Sequence, residues 1–171
     1  RRPMGLAVCF PFDGRAYQTE KQGRALMSHA RQQIRDAFAT QITGLASGAT
    51  VYKWRARPVP PTVKKAFRVS TPDESIDNTG ELGAAPSRVL SVRVEILTRQ
   101  AAASEDVMDQ LALEVESAIA ADETIGGRLL WCRPVSFDAD IAEGGSETEM
   151  LGALLFEGFY SVALADASTI I

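Results

Sequence analysis

The stretch "RVLSVRVEILT" constrains this chain more than any other. Leu90, Val92, Val94 and Ile96 alternate with Ser91, Arg93 and Glu95, the period of a strand that is apolar on one face and polar on the other. Such a strand needs cover on one side and leaves the other wet or open to a partner, which favours an antiparallel sheet covered on one side.

Two helical stripes supply the cover. From about Thr19 to Ile42, Leu26, Ala30, Ile34 and Phe38 recur every fourth residue, and Met27, Ala37 and Ile42 widen the stripe. Thr19 suits the start, Gly44 suits the residue after the end, and Gly23 is a weak point. The second helix, Ser104 to Ala121, carries Met108, Leu111, Val115 and Ile119 on one side. Ser104 suits its cap, and Glu105 and Asp106 suit the positive end of its dipole.

Four further strands are predicted. "TVYKWRAR" (Thr50 to Arg57) alternates Tyr52 and Trp54 with Lys53 and Arg55, and "PVPP" ends it. Lys65 to Ser70 follows, with Phe67 and Val69 on one face. "GGRLLWCRPV" and "GALLFEGFYSVALA" come last, separated by a long acidic connection, "SFDADIAEGGSETEM". "STPDESIDNTGELG" reads as a polar loop rich in turn residues. The order predicts an α+β fold, a mostly antiparallel sheet of about four to five strands with two helices on one face. Residues 1–18 read as an N-terminal arm, 19–166 as a single domain and 167–171 as a C-terminal tail.

Composition fits a globular domain: 171 residues, 46% apolar and 23% charged. No apolar run approaches the roughly 18 residues of a membrane helix, and neither "GLAVCF" nor the leading "RR" reads as an export signal. Cys9 and Cys132 lie far apart with no C-x-x-C, which predicts free thiols in a reducing compartment rather than a disulfide. Charge is divided along the chain. Residues 1–70 hold 13 Lys+Arg and 3 Asp+Glu, whereas residues 71–171 hold 5 and 19. A subunit divided in this way suits head-to-tail association with copies of itself.

Catalytic and metal motifs are missing from the sequence. His29, the one histidine, is expected inside the first helix, where it and Ser28 point in different directions and cannot act as a base–nucleophile pair. There is no G-x-S-x-G elbow and no phosphate loop. One His and two distant Cys leave no zinc site. Asp73, Ser75 and Asp77 imitate the opening of a calcium loop, but the sixth and twelfth positions are Asn78 and Ala84, where Gly and Glu are required. No cofactor or metal is therefore expected. A basic cluster around Lys53, Arg55, Arg57, Lys64, Lys65 and Arg68 would attract phosphate, but it suits an acidic protein face equally well.

The order of segments carries a resemblance. A helix "HARQQIRDAFATQITGL" precedes "ATVYKWRARPVPPTVKKAFRVSTPDES" and "RVLSVRVEILTR"; "DVMDQLALEVESAIAADETIGG" and "LLFEGFYSVAL" follow. Over about Leu26 to Ala165 this resembles the tail terminator (tail completion) proteins of long-tailed bacteriophages, the group that includes the lambda minor tail protein U. The arm at 1–18 and the acidic stretch near 138–149 depart from the pattern.

The resemblance implies a structural virion protein at the neck end of the tail, assembled in the host cytoplasm. Its partners would be copies of itself in a hexameric ring, the tail tube protein, and a head-tail connector or neck protein. DNA would pass through the lumen without specific binding, and no membrane would be involved. No catalytic residue is implied. A ring contact is expected between Lys53, Arg55, Arg57 and Arg68 on one side and carboxylates on the other. Those carboxylates are Asp73, Glu74, Asp77 and Glu81, or Asp138, Asp140 and Glu143. The alternatives are another tube or connector subunit, a small enzyme built on Asp138 and Asp140, and a basic-patch nucleic-acid binder.

Overall fold

The computed structural model describes residues 28–53, 58–77, 84–100, 105–142 and 148–171. Two helices, α1 (Ala30–Gln41) and α2 (Glu105–Ala121), accompany six strands among these residues. The strands are β1 (Thr50–Lys53), β2 (Lys65–Asp77), β3 (Ser87–Gln100), β4 (Trp131–Ala142), β5 (Thr148–Ala163) and β6 (Asp166–Ile170). They form one sheet in the order β1-β2-β3-β5-β4, with β6 paired to β5. All neighbours are antiparallel except β1 and β2, which run parallel. The chain is thus α+β, with one strand more than the pattern predicts, because β6 forms where a C-terminal tail is expected.

The period-two reading of β3 holds. Leu90, Val92, Val94 and Ile96 are fully buried, while Ser91, Arg93 and Glu95 face the other way. The register places Val92 beside Phe156 and Val94 beside Leu154, so β5 presents its apolar residues to the same side. Both helices cover that side. Ile34 and Phe38 of α1 and Met108, Leu111, Val115 and Ile119 of α2 join one core cluster with them. Phe38 meets Phe156 edge-on, ring centres 5.3 Å apart.

Helix α1 starts later than its apolar stripe suggests. His29 is its cap rather than an interior residue, and its Nδ1 accepts a hydrogen bond from the Arg31 backbone N–H at 3.2 Å. The proposed start at Thr19, and the cap Ser104 of α2, lie outside the described residues. After α2 the chain turns through Ile125, whose φ of 51° is unusual for a β-branched residue. The Asp122 carboxylate accepts the N–H groups of Thr124 (3.0 Å) and Gly126 (2.7 Å) and pins this turn. Ile125 can then seat its side chain in the core.

Two expected loops are strand. β2 runs past Ser70 through Asp77, and β4 runs past Val135 through Ala142. Each strand absorbs its proline at an irregularity, between Ser70 and Asp73 in β2 and between Pro134 and Ser136 in β4. Pro134 lies on β4, which ends the sheet among the described residues. A missing N–H costs no ladder bond on an open edge.

Candidate interaction surfaces

The two acidic stretches belong to opposite ends of the sheet. Asp77 is in register with Ser87 and Ser161, whereas Asp138 is in register with Ala153 and Glu95. Eight residues of β3 separate the two rows, about 27 Å at the usual strand rise. Asp73, Asp138 and Asp140 are exposed. Neither Asp138 nor Asp140 has an ion-pair partner among the described residues. Arg55, Arg57, Glu81 and Glu143 lie outside the described residues.

Two of the expected cations are engaged within the chain. Lys53 Nζ lies 3.1 Å from Asp36 on α1. Arg68 on β2 is bonded to Glu95, its register partner on β3.

Glu74 corrects the expectation most clearly, because it is no surface carboxylate. Its side chain is 6% exposed and faces the helices. Arg88 Nη1 donates to Glu74 Oε2 at 3.1 Å, Arg31 Nε lies 3.7 Å away, and the Tyr160 hydroxyl donates to Oε1. Burial, then the Glu74 carboxylate, pushes the Tyr160 phenol well above its ordinary range. Burial, then Arg31, holds the His29 imidazole below its ordinary value. The group ties the start of α1 to β2, β3 and β5, and every charge in it has a partner. The buried Glu74–Arg88–Tyr160 part of the group braces the fold. One sequence signal pointed to it: Arg88 is in phase with Leu90, Val92, Val94 and Ile96, a charge on the buried stripe.

Among the described residues no helix lies over the outer face of the sheet. Residues Pro58 to Val63 approach one end, where Arg99 Nη1 donates to the Pro60 carbonyl at 2.9 Å and Arg99 Nε donates to Glu149 at 2.7 Å. Two shallow cavities of about 330 and 290 Å³ share Arg68, Glu95 and Leu151, and the second also reaches Asp138 and Asp140. Leu151 is 41% exposed in their midst.

The helical layer carries a surface at each flank. On the β2 side, His29, Arg31, Gln32, Arg35 and Thr71 line a hollow of about 360 Å³. On the β4 side, α2 and β4 enclose a groove of about 290 Å³, with Leu113, Ile119, Pro134 and Phe156 as its apolar lining and Glu116 and Glu123 among its polar residues. Sequence reasoning missed this groove, because it depends on β4 lying alongside α2. Among the described residues no three His, Cys, Asp or Glu side chains are grouped to hold a metal, and no helix is long and apolar enough to cross a membrane.

No family model matches the sequence, and no curated protein matches it at a significant level. Among solved structures, the chain is similar to one described as "Virion of native gene transfer agent (GTA) particle", at 17% identity. The alignment covers 80% of this chain and 94% of that chain, with a TM-score of 0.38. A similarity this weak in sequence and in overlay says nothing of what the present chain does.

Proposed function

We propose that this chain is a structural subunit of a phage tail. It closes into a ring on the end of the tail tube, stops tube polymerisation and offers a docking surface to the neck. The supporting observation is the placement of charge on opposite flanks of one sheet. Residues 105–142, which build α2 and β4, hold nine carboxylates and two arginines. The described residues from 28 to 77, which build α1, β1 and β2, hold six Lys+Arg and four carboxylates, and Glu74 among these is buried. The strand order sets β1 and β2 on one side and β4 on the other. A ring needs such a pair of unlike, complementary surfaces, each copy offering one to the next.

The segment order described above supports a tail-terminator role for the ring. Exposed Asp138 and Asp140 suit either a neighbouring subunit or a lumen that repels phosphate and lets DNA slide. Electron microscopy of the purified protein with tail tubes tests the reading. One ring at one tube end is the expected result. Indefinite stacking would make the chain a tube subunit, and a monomer that ignores tubes would remove the proposal.

A further inference from the structure

We infer that the groove between α2 and β4 receives the arginine side of α1 from a second copy of this chain. The inference rests on the ring reading and names its contact.

The groove has the chemistry of an arginine receptor. Its floor is apolar, with Leu113 55% exposed and Pro134 open to solvent beside it. Glu116 and Glu123 stand on its lining, and neither has an ion-pair partner among the described residues. Arg133 also lines it, but its guanidinium lies over the Trp131 ring, 5.6 Å from the centroid. An arginine stem can lie on such a floor while its head reaches the carboxylates.

The opposite flank supplies the complement. Arg31 is half exposed and reaches Glu74 only at 3.7 Å. Among the described residues Arg35 has no carboxylate partner: Nη1 donates to the Thr71 hydroxyl at 3.4 Å, and Nε is buried with no hydrogen bond to any of them. Gln32 is exposed between them. Both surfaces belong to the helical layer, one above β2 and the other against β4. A copy placed beside another in the plane of the sheet brings α1 of one toward α2 of the next. The two surfaces lie on opposite flanks of the sheet, so a two-fold dimer cannot bring both pairs together, and a head-to-tail contact whose rotation closes repeats around a ring.

Charge exchange tests this. One variant carries Glu116→Arg with Glu123→Arg, and the other carries Gln32→Glu with Arg35→Glu, which leaves the Arg31–Glu74 contact intact. Wild type should sediment as a ring. Each variant alone should associate about tenfold or more weakly, with unchanged circular dichroism and melting temperature. An equimolar mixture should recover rings with an even number of subunits, alternating the two variants. If both variants form wild-type rings, or if the folded mixture stays monomeric while wild type assembles, the inference fails and the ring reading survives. If wild type is monomeric at every concentration and on tail tubes, the ring reading fails and takes the inference with it.

Discussion

The Tyr160 hydroxyl on β5 donates a hydrogen bond to the Glu74 carboxylate on β2, across the intervening strand β3. Arg88, on β3 between them, is bonded to the same carboxylate. Tyr160→Phe removes one donor to a buried charge and should cost about 1–3 kcal/mol in urea unfolding. Glu74→Ala should cost more, about 3–5 kcal/mol, because it strands Arg88 with its side chain only 11% exposed. Equal losses in the two variants would show that Arg88 does not depend on Glu74.

Cys132 gives the chain an alkaline limit. Burial, then Glu123, pushes its thiol from 9.0 up to about 12. The folded state therefore keeps the proton that the unfolded chain releases. This contribution is complete below pH 9 and is lost as pH rises toward 12. Unfolding free energy measured across that window should fall with pH, and less steeply in Cys132→Ala. In a Cys9→Ser background, iodoacetamide should label Cys132 at pH 8 only when the protein is unfolded.

His29 gives it an acid limit. Its imidazole is held below 6.5, so its contribution is present above pH 6.5 and lost as pH falls through the depressed value. Burial is the main cause, with the Arg31 charge behind it, and a protonated Nδ1 also cannot accept the Arg31 N–H that starts α1. His29→Asn should keep the cap at low pH and flatten the stability profile below pH 6.5. His29→Ala should cost about 1 kcal/mol at pH 7.5.

Two glycines in β5 make room for the layer above, to different degrees. A Cβ on Gly158 would stand 2.7 Å from Leu129 Cδ1, and Leu129 is buried. A Cβ on Gly152 would meet Met108 Sδ at 2.8 Å and Phe137 at 3.1 Å. Methionine is unbranched and adapts, and Phe137 is partly exposed. Gly158→Ala should therefore lower stability by about 1–3 kcal/mol and Gly152→Ala by less, measured by thermal melts.

Thr98 is fully buried on β3, and its hydroxyl has no hydrogen-bond partner among the described residues. Thr98→Val keeps the shape and removes an unpaid desolvation. Stability should hold or rise by up to about 1 kcal/mol. A fall in melting temperature would show that the hydroxyl has a role in packing or finds a water.

Much of the fold was legible because it is written in periodicity. β3, the apolar stripes of α1 and α2, and the apolar side of β5 all read directly from residue spacing. The outer halves of β2 and β4 did not. "TPDESID" and "SFDAD" contain proline and acids of low β-propensity, and locally they read as loop. Propensity differences of that kind are worth about 1 kcal/mol across the whole scale. A long neighbour outweighs them: β3 spans 14 residues and β5 spans 16, and each offers a continuous ladder to the strand beside it.

The candidate surfaces divide in the same way. Charge asymmetry along the chain was visible, and so was the acidic character of the stretch that holds Asp138 and Asp140. Glu74 could not be separated from its exposed neighbours Asp73 and Asp77 by composition. Its inward turn follows from the irregularity at Thr71–Pro72, which sets the phase of every side chain after it.

The amino-acid order thus determined which residues are apolar in phase, and hence that two helices cover one face of a sheet. The tertiary structure decided how far each strand runs, that β1 joins β2 in parallel, and which carboxylate is buried. Those outcomes depend on hydrogen-bond ladders and register between segments distant in sequence, and no local window contains them.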